Sequence, residues 1–217
     1  MRTLVKRLIG PIVKKVHASW LKKPRLYSYK DVSVWVAPGV FPPFVTFSTK
    51  FLLEFCETLP LHGKSFLELG CGCGIVSILA AKNGAFVTAT DISDVALEML
   101  SRNASDNNIS IEILHSDLFD KLQNRKFDYI FINPPYYPKK PQTVAENAWF
   151  CGEDFEYFRS LFNQLPNTAE NVFMILSEDC EIEKIKAIAL ENAIAFELVI
   201  ERKVAAERNF IFRLASL

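Results

Sequence analysis

The sequence predicts an α/β protein: a mostly parallel sheet with helices on both faces, an antiparallel hairpin at its C-terminal end and a basic helical extension in front. Three observations carry this. From residue 64 onward, short apolar runs alternate with helix-period segments across short loops, as in a parallel sheet covered on both faces. The last two runs are joined by "KVAAERN" with no helix between them, which makes them a hairpin. Residues 1–30 hold nine of the 25 basic residues and no acid, leaving 16 basic against all 25 acidic groups in the remainder. That split predicts a basic arm on an acidic body.

In chain order, Leu4, Val5, Leu8, Ile9, Ile12, Val13, Val16 and Trp20 fall at helical spacing among lysines and arginines, so residues 3–23 read as an amphipathic helix. Gly10-Pro11 kinks or restarts it. Its apolar face can pack on the domain, or the arm can face RNA or the ribosome, lie on a membrane surface or act as a transit peptide. Val32, Val34 and Val36 alternate with Ser33 and Trp35 before Gly39 and a run of prolines, a short strand or hairpin. The extension is therefore assigned to residues 1–40 and the main domain to 41–217.

"FSTKFLLEFCETL" reads as a helix capped by Ser48 or Thr49. Strands are expected at Ser65–Leu69, Ala85–Thr90, Ile109–Leu114, Phe127–Ile132, Asn171–Leu176, Phe196–Arg202 and Phe210–Leu214. Helices are expected near Ile75–Asn83, Asp94–Asp106, Asp154–Leu165 and Glu181–Glu191.

Half of the 217 residues are hydrophobic and 23% charged, a globular profile. No apolar run reaches the roughly 18 residues of a membrane span, and the N-terminus lacks the uninterrupted apolar core of a secretory signal. The five cysteines are scattered, which fits a reducing compartment and a cytoplasmic location. Cys71-Gly72-Cys73 has no complementary histidine or cysteine pair, so small residues in a tight turn explain it better than a metal does.

The chemistry-bearing residues sit at strand ends. "ELGCGCG" is a strand running into a glycine-rich turn, where Gly70, Gly72 and Gly74 let the chain turn sharply and a ligand approach. Ile75 stands where a dinucleotide fingerprint needs its third glycine, which argues against nicotinamide chemistry. Asp91 in "TATDIS" and Asp117 in "LHSDLFD" end the next two strands. A carboxylate at Asp91 can accept two ribose hydroxyls. Each acid alone would serve as well as a helix cap, but in register they converge on one crevice.

As a set these motifs resemble those of class I S-adenosylmethionine-dependent methyltransferases over residues 40–217. The resemblance implies a Rossmann-like seven-stranded sheet with an antiparallel last strand and S-adenosylmethionine as cofactor. It implies that Glu68, Gly70, Cys71, Gly72 and Gly74 hold the methionine end. Asp91, followed by Ile92, holds the ribose, and Asp117 with Leu118 the adenine, with Asn133 at the edge of the same site.

"FDYIFINPPYYPKK" carries the reaction. Two prolines after a strand keep the chain stiff and extended, which fixes Asn133, Pro134, Pro135 and Tyr136 at the sheet edge. The Asn133 side-chain oxygen and the Pro134 carbonyl can accept both hydrogens of an –NH₂ group and favour its pyramidalisation, and Tyr136 can stack on the flat group. The tetrad resembles that of amino-group methyltransferases acting on glutamine amides, adenine N6 or guanine N2. No Pro-Cys pair occurs, so a cytosine-C5 mechanism lacks its nucleophile.

"NPPYYPKKPQTVAENAWFCGEDFEYF" also resembles the glutamine-N5 methyltransferases of release factors. Cys151 replaces the first glycine of their Gly-Gly pair, Phe155 a later glycine, and Ser48 an upstream carboxylate. With Lys139 and Lys140 and the basic arm, these differences place an exocyclic base amine of RNA ahead of a protein glutamine as acceptor. A non-catalytic, RNA-binding scaffold is the reading of another class; the complete set of glycines, acids and tetrad argues against it.

Overall fold

The computed structural model describes residues 22–123, 125–165, 171–204 and 207–217. The expected N-terminal amphipathic helix lies almost wholly outside these residues. The first described elements are strands β1 (Arg25–Tyr29) and β2 (Val32–Val36), an antiparallel hairpin. Then follow α1 (Phe47–Cys56), β3 (Ser65–Leu69), α2 (Ile75–Lys82), β4 (Phe86–Asp91), α3 (Asp94–Asp106), β5 (Glu112–His115) and β6 (Tyr129–Ile132). A 3₁₀ turn (Val144–Ala148), α4 (Glu156–Gln164), β7 (Val172–Ser177), α5 (Ile182–Glu191), β8 (Ile194–Val204) and β9 (Glu207–Ser216) complete the chain.

The main sheet has seven strands in the order β5-β4-β3-β6-β7-β9-β8. β5, β4, β3, β6 and β7 are parallel neighbours, and β9 runs antiparallel to both β7 and β8. The expected Rossmann-like α/β architecture is thus present. Central β6 (YIFI) and β7 (VFMILS) are buried at every position, as strands covered on both faces must be. On one face Phe66 and Phe131 meet residues of the hairpin, α1, α2 and α3. On the other, Leu67, Leu69, Ile130 and Ile132 meet α4 and α5. All five cysteines are free and buried.

Element ends differ from the sequence reading in three instructive places. The third parallel strand begins at Glu112 rather than Ile109, because Ile109 belongs to the end of α3. Asn108 is left-handed (φ 56°), and the Ile109 and Asn108 amides donate to the carbonyls of Ala104 and Ser105 at 2.9 and 3.0 Å, which closes the helix with a paired C-terminal cap. The cap of α1 is Thr46, not Ser48 or Thr49. Ser48 and Thr49 are buried inside the helix, and the hydroxyls of Ser48 and Thr46 pair at 2.7 Å. Helix α4 begins at Glu156 rather than Asp154, because Phe155 at its N-cap is left-handed (φ 60°), a conformation that costs a large side chain energy.

Candidate active site

Strand register brings the expected residues together. Leu69 pairs with Ile132 on one side and Thr90 on the other, so the following residues Gly70, Asn133 and Asp91 emerge side by side at the carboxyl edge. Asp91 in turn pairs with His115, which puts Ser116, Asp117 and Leu118 next in line. The strand order reverses between β3 and β6, and ligand crevices of open α/β sheets lie at such a reversal. A crevice of about 460 Å³ is lined here by Glu68, Gly70, Cys71, Gly72, Asp91, Ile92, Asp117, Leu118, Asn133, Pro134, Pro135 and Tyr136. Of the residues expected from the sequence, Gly74 alone does not line it. Gly74 has φ +77°, and a Cβ there would sit 2.1 Å from Leu100 Cδ1, so its small size serves the packing of α3 against the turn.

The turn is fixed by its own backbone and by carboxylates. Gly70 and Cys71 amides both donate to the Thr90 carbonyl at 2.9 Å. Asp91 accepts from the Gly72 amide at 3.0 Å through one oxygen and from the Ser93 amide at 2.9 Å through the other. The carboxylate keeps further acceptor capacity for a ligand. Burial pushes the Asp91 carboxyl above its usual range, against the pull of the Gly72, Ser93 and Ile92 amides. Glu68 is buried and accepts from the Ser77 amide at 2.9 Å and from the Ser77 hydroxyl. Burial, with help from the Asp91 charge, pushes its carboxyl up to about 8 despite those donors.

S-adenosylmethionine fits these residues. A methyl group placed on Gly70 would meet no atom within 4 Å, so open space lies beside the turn, and its φ of +70° favours glycine there. Asp91 offers acceptor oxygens beside it, and Ile92 and Leu118 supply apolar walls.

The tetrad faces the same crevice. The Asn133 side chain is half-buried and makes no hydrogen bond among the described residues, while Pro134 is buried behind it. The Tyr136 ring is buried against α4 and α5. Burial raises its pKa.

Sequence reasoning missed the far wall. Residues 137–152 fold back through a bridge between Tyr137 and Phe150, with Tyr137 N donating to Trp149 O at 3.1 Å and Cys151 N to Tyr137 O at 3.0 Å. This places Trp149 against Phe41 of the hairpin-to-α1 loop, ring centroids 4.8 Å apart, with both rings in the crevice lining. Lys139 lies over the Phe150 ring at 4.6 Å, and Lys140 lines the opening. Tyr157 of α4 also lines it; burial and then the Asp91 and Asp117 charges raise its pKa. The run of aromatic residues at 149–158 was the available signal.

This sheet order and crevice define a class I S-adenosylmethionine-dependent methyltransferase. Solved structures agree on the fold. The Thermus thermophilus 16S rRNA N2 G1207 methyltransferase, in complex with AdoMet and guanosine, superposes with a TM-score of 0.63 at 22% identity, covering 88% of this chain and 50% of that one. The methyltransferase in the E. cuniculi Mtq2–Trm112 complex gives 0.64 at 19%, covering 82% and 99%. The chain belongs to the methyltransferase small domain family, whose model matches residues 31–150.

A Methanocaldococcus jannaschii protein named as a candidate protein N5-glutamine methyltransferase is 43% identical over 144 residues, 64% of this chain and 71% of that protein. Ribosomal RNA small subunit methyltransferase C of Haemophilus influenzae is 33% identical over 175 residues. That match takes in 75% of this chain and 52% of the relative, so the chain spans about half of the relative's length. The enzyme is an S-adenosylmethionine-dependent N-methyltransferase. Among the described residues no helix is long and apolar enough to cross a membrane, and no cluster of metal-ligating side chains occurs.

Proposed function

We propose that this enzyme methylates the exocyclic amine of a base in RNA. The observation that carries the reading is the pairing of Asn133 with an aromatic and basic opening. The tetrad shares its crevice with Phe41, Trp149, Phe150 and Lys140, and Lys139 lies over the Phe150 ring. Flat rings beside cations suit an unstacked base on a phosphate backbone.

S-adenosylmethionine, when bound, supplies a methyl group activated on a sulfonium sulfur. Glu68, Gly70, Cys71, Gly72, Asp91, Ile92, Asp117 and Leu118 are the residues that would hold it, with Gly74 acting through the shape of the turn. The remaining task of the protein is alignment. The Asn133 side-chain oxygen and the Pro134 carbonyl take the two N–H hydrogens of the acceptor, so the nitrogen lone pair leaves the π system and points into the crevice. The two prolines hold both acceptors in direction, and Tyr136 offers the face on which the planar group rests. The nine basic residues within positions 1–30 add a contact surface for the phosphate backbone, and the five reduced cysteines fit a cytoplasmic location.

The M. jannaschii relative favours a second reading, N5-methylation of a glutamine in a translation factor or ribosomal protein, since a carboxamide presents the same flat –NH₂ group. Tritium-labelled cofactor and extract from a strain lacking the protein separate the two. RNase-sensitive counts are expected. Protease-sensitive counts would install the glutamine reading, and a product alkylated on carbon or oxygen would end both.

A further inference from the structure

Asn103 of α3 and Asn107 at its C-cap bind the open edge of β2 as a neighbouring strand would. Asn103 accepts from the Trp35 amide at 2.8 Å and donates to the Trp35 carbonyl at 2.8 Å. One helical turn on, Asn107 accepts from the Ser33 amide at 3.4 Å and donates to the Ser33 carbonyl at 2.7 Å. Four helical residues rise about 6 Å and two strand residues about 6.8 Å, so the two repeats match and the side-chain amides form a ladder. The two rungs differ in what else they hold. The Asn103 amide nitrogen also donates to the Cys73 carbonyl, at 2.9 Å, in the middle of the glycine turn. Asn107 spends its second donor on the Asn103 carbonyl of its own helix, at 2.8 Å. Asn103 is fully buried where the helix otherwise turns Ala96, Leu100 and Ala104 to the core. A polar side chain at such a depth persists only when its partners are all in place.

We propose that Asn103 is a positioning residue for the cofactor: its amide clamps the Cys73 carbonyl to β2, so that the N-terminal hairpin sets the shape of the glycine turn. The hairpin is then part of the cofactor machinery as well as part of the core. By linkage, a cofactor that selects the clamped turn tightens the hairpin in return.

Titration calorimetry of S-adenosylmethionine and S-adenosylhomocysteine into the full chain, with thermal unfolding beside it, tests this. Asn103→Ala should weaken cofactor binding about three- to tenfold, the range of one lost hydrogen bond, and raise the cofactor KM with little change in kcat. Asn107→Ala should lower the unfolding midpoint yet leave cofactor affinity within about twofold, since none of its bonds reaches the glycine turn. Equal cofactor affinity in wild type and Asn103→Ala, or equal weakening in both variants, would overturn the proposal. Absence of cofactor binding by the wild type would instead remove the cofactor site itself. Should Asn103→Ala not fold, hydrogen exchange of the unaltered protein decides. Saturating S-adenosylhomocysteine should slow the Trp35 amide more than the Ser33 amide, and equal slowing of the two sinks the clamp.

Discussion

On the Asp91 side of the crevice the backbone holds the wall in place, whereas on the Trp149 side loops hold one another. Gly70, Cys71 and Gly72 each have their amide spent on Thr90 or Asp91, and the turn grows directly from β3. The opposite wall comes from two loops more than 100 residues apart in sequence, and Phe41 touches Trp149 ring to ring. The first wall is made largely of backbone groups braced by the Asp91 and Glu68 carboxylates, and its shape follows from glycines and strand register. The second is made by chosen side chains and can change without disturbing the sheet. A cofactor common to a class and an acceptor particular to one enzyme call for that division of labour.

Substitution of Asn133 by alanine strikes at the acceptor wall and should have the largest effect. Methyl transfer is expected to fall at least about 100-fold, the scale of one lost group at a reacting atom, while calorimetric cofactor affinity stays within a few-fold. A fully active variant would erase the distinction drawn between the walls. Next in size, Asp91→Ala should weaken cofactor binding by roughly 1.5–3 kcal/mol, the worth of a hydrogen bond to a charged group. The amides of Gly72 and Ser93 lose their acceptor as well, so turnover at saturating cofactor is the control.

Glu68 sharpens the comparison through pH. Its carboxyl rises from 4.5 to about 8 in the folded protein, so the native state binds this proton more tightly than the unfolded chain does. The resulting stability is full below pH 4.5 and is lost as pH climbs through about 8. Thermal unfolding of Glu68→Gln should therefore vary less than that of the wild type across that window. The smallest effect is expected from Trp149→Ala: a rise in acceptor KM worth about 1 kcal/mol, with cofactor affinity and unfolding midpoint almost unchanged.

Much of the glycine-turn wall of the crevice was legible in the chain, because strand ends announce themselves and glycines mark the turn between them. The tetrad was legible for the same reason, since two prolines leave the backbone few choices. Phe41 and Trp149 were not, because nothing local records which distant loop a ring will meet. Gly74 was grouped with Gly70 and Gly72 by its spacing, and the structure sets it against Leu100, outside the crevice lining. Asn103 sat in plain view on the apolar stripe of an expected helix, and its polarity there was the unused clue.

The burial of every cysteine has a practical consequence. Burial raises the pKa of the Cys56, Cys71, Cys73, Cys151 and Cys180 thiols, and a thiol that is both enclosed and protonated reacts slowly with maleimides. Cys71, Cys73 and Cys151 nevertheless line the crevice, so a ligand bound there is expected to slow their labelling further, while Cys56 and Cys180 stay unlabelled until the chain unfolds.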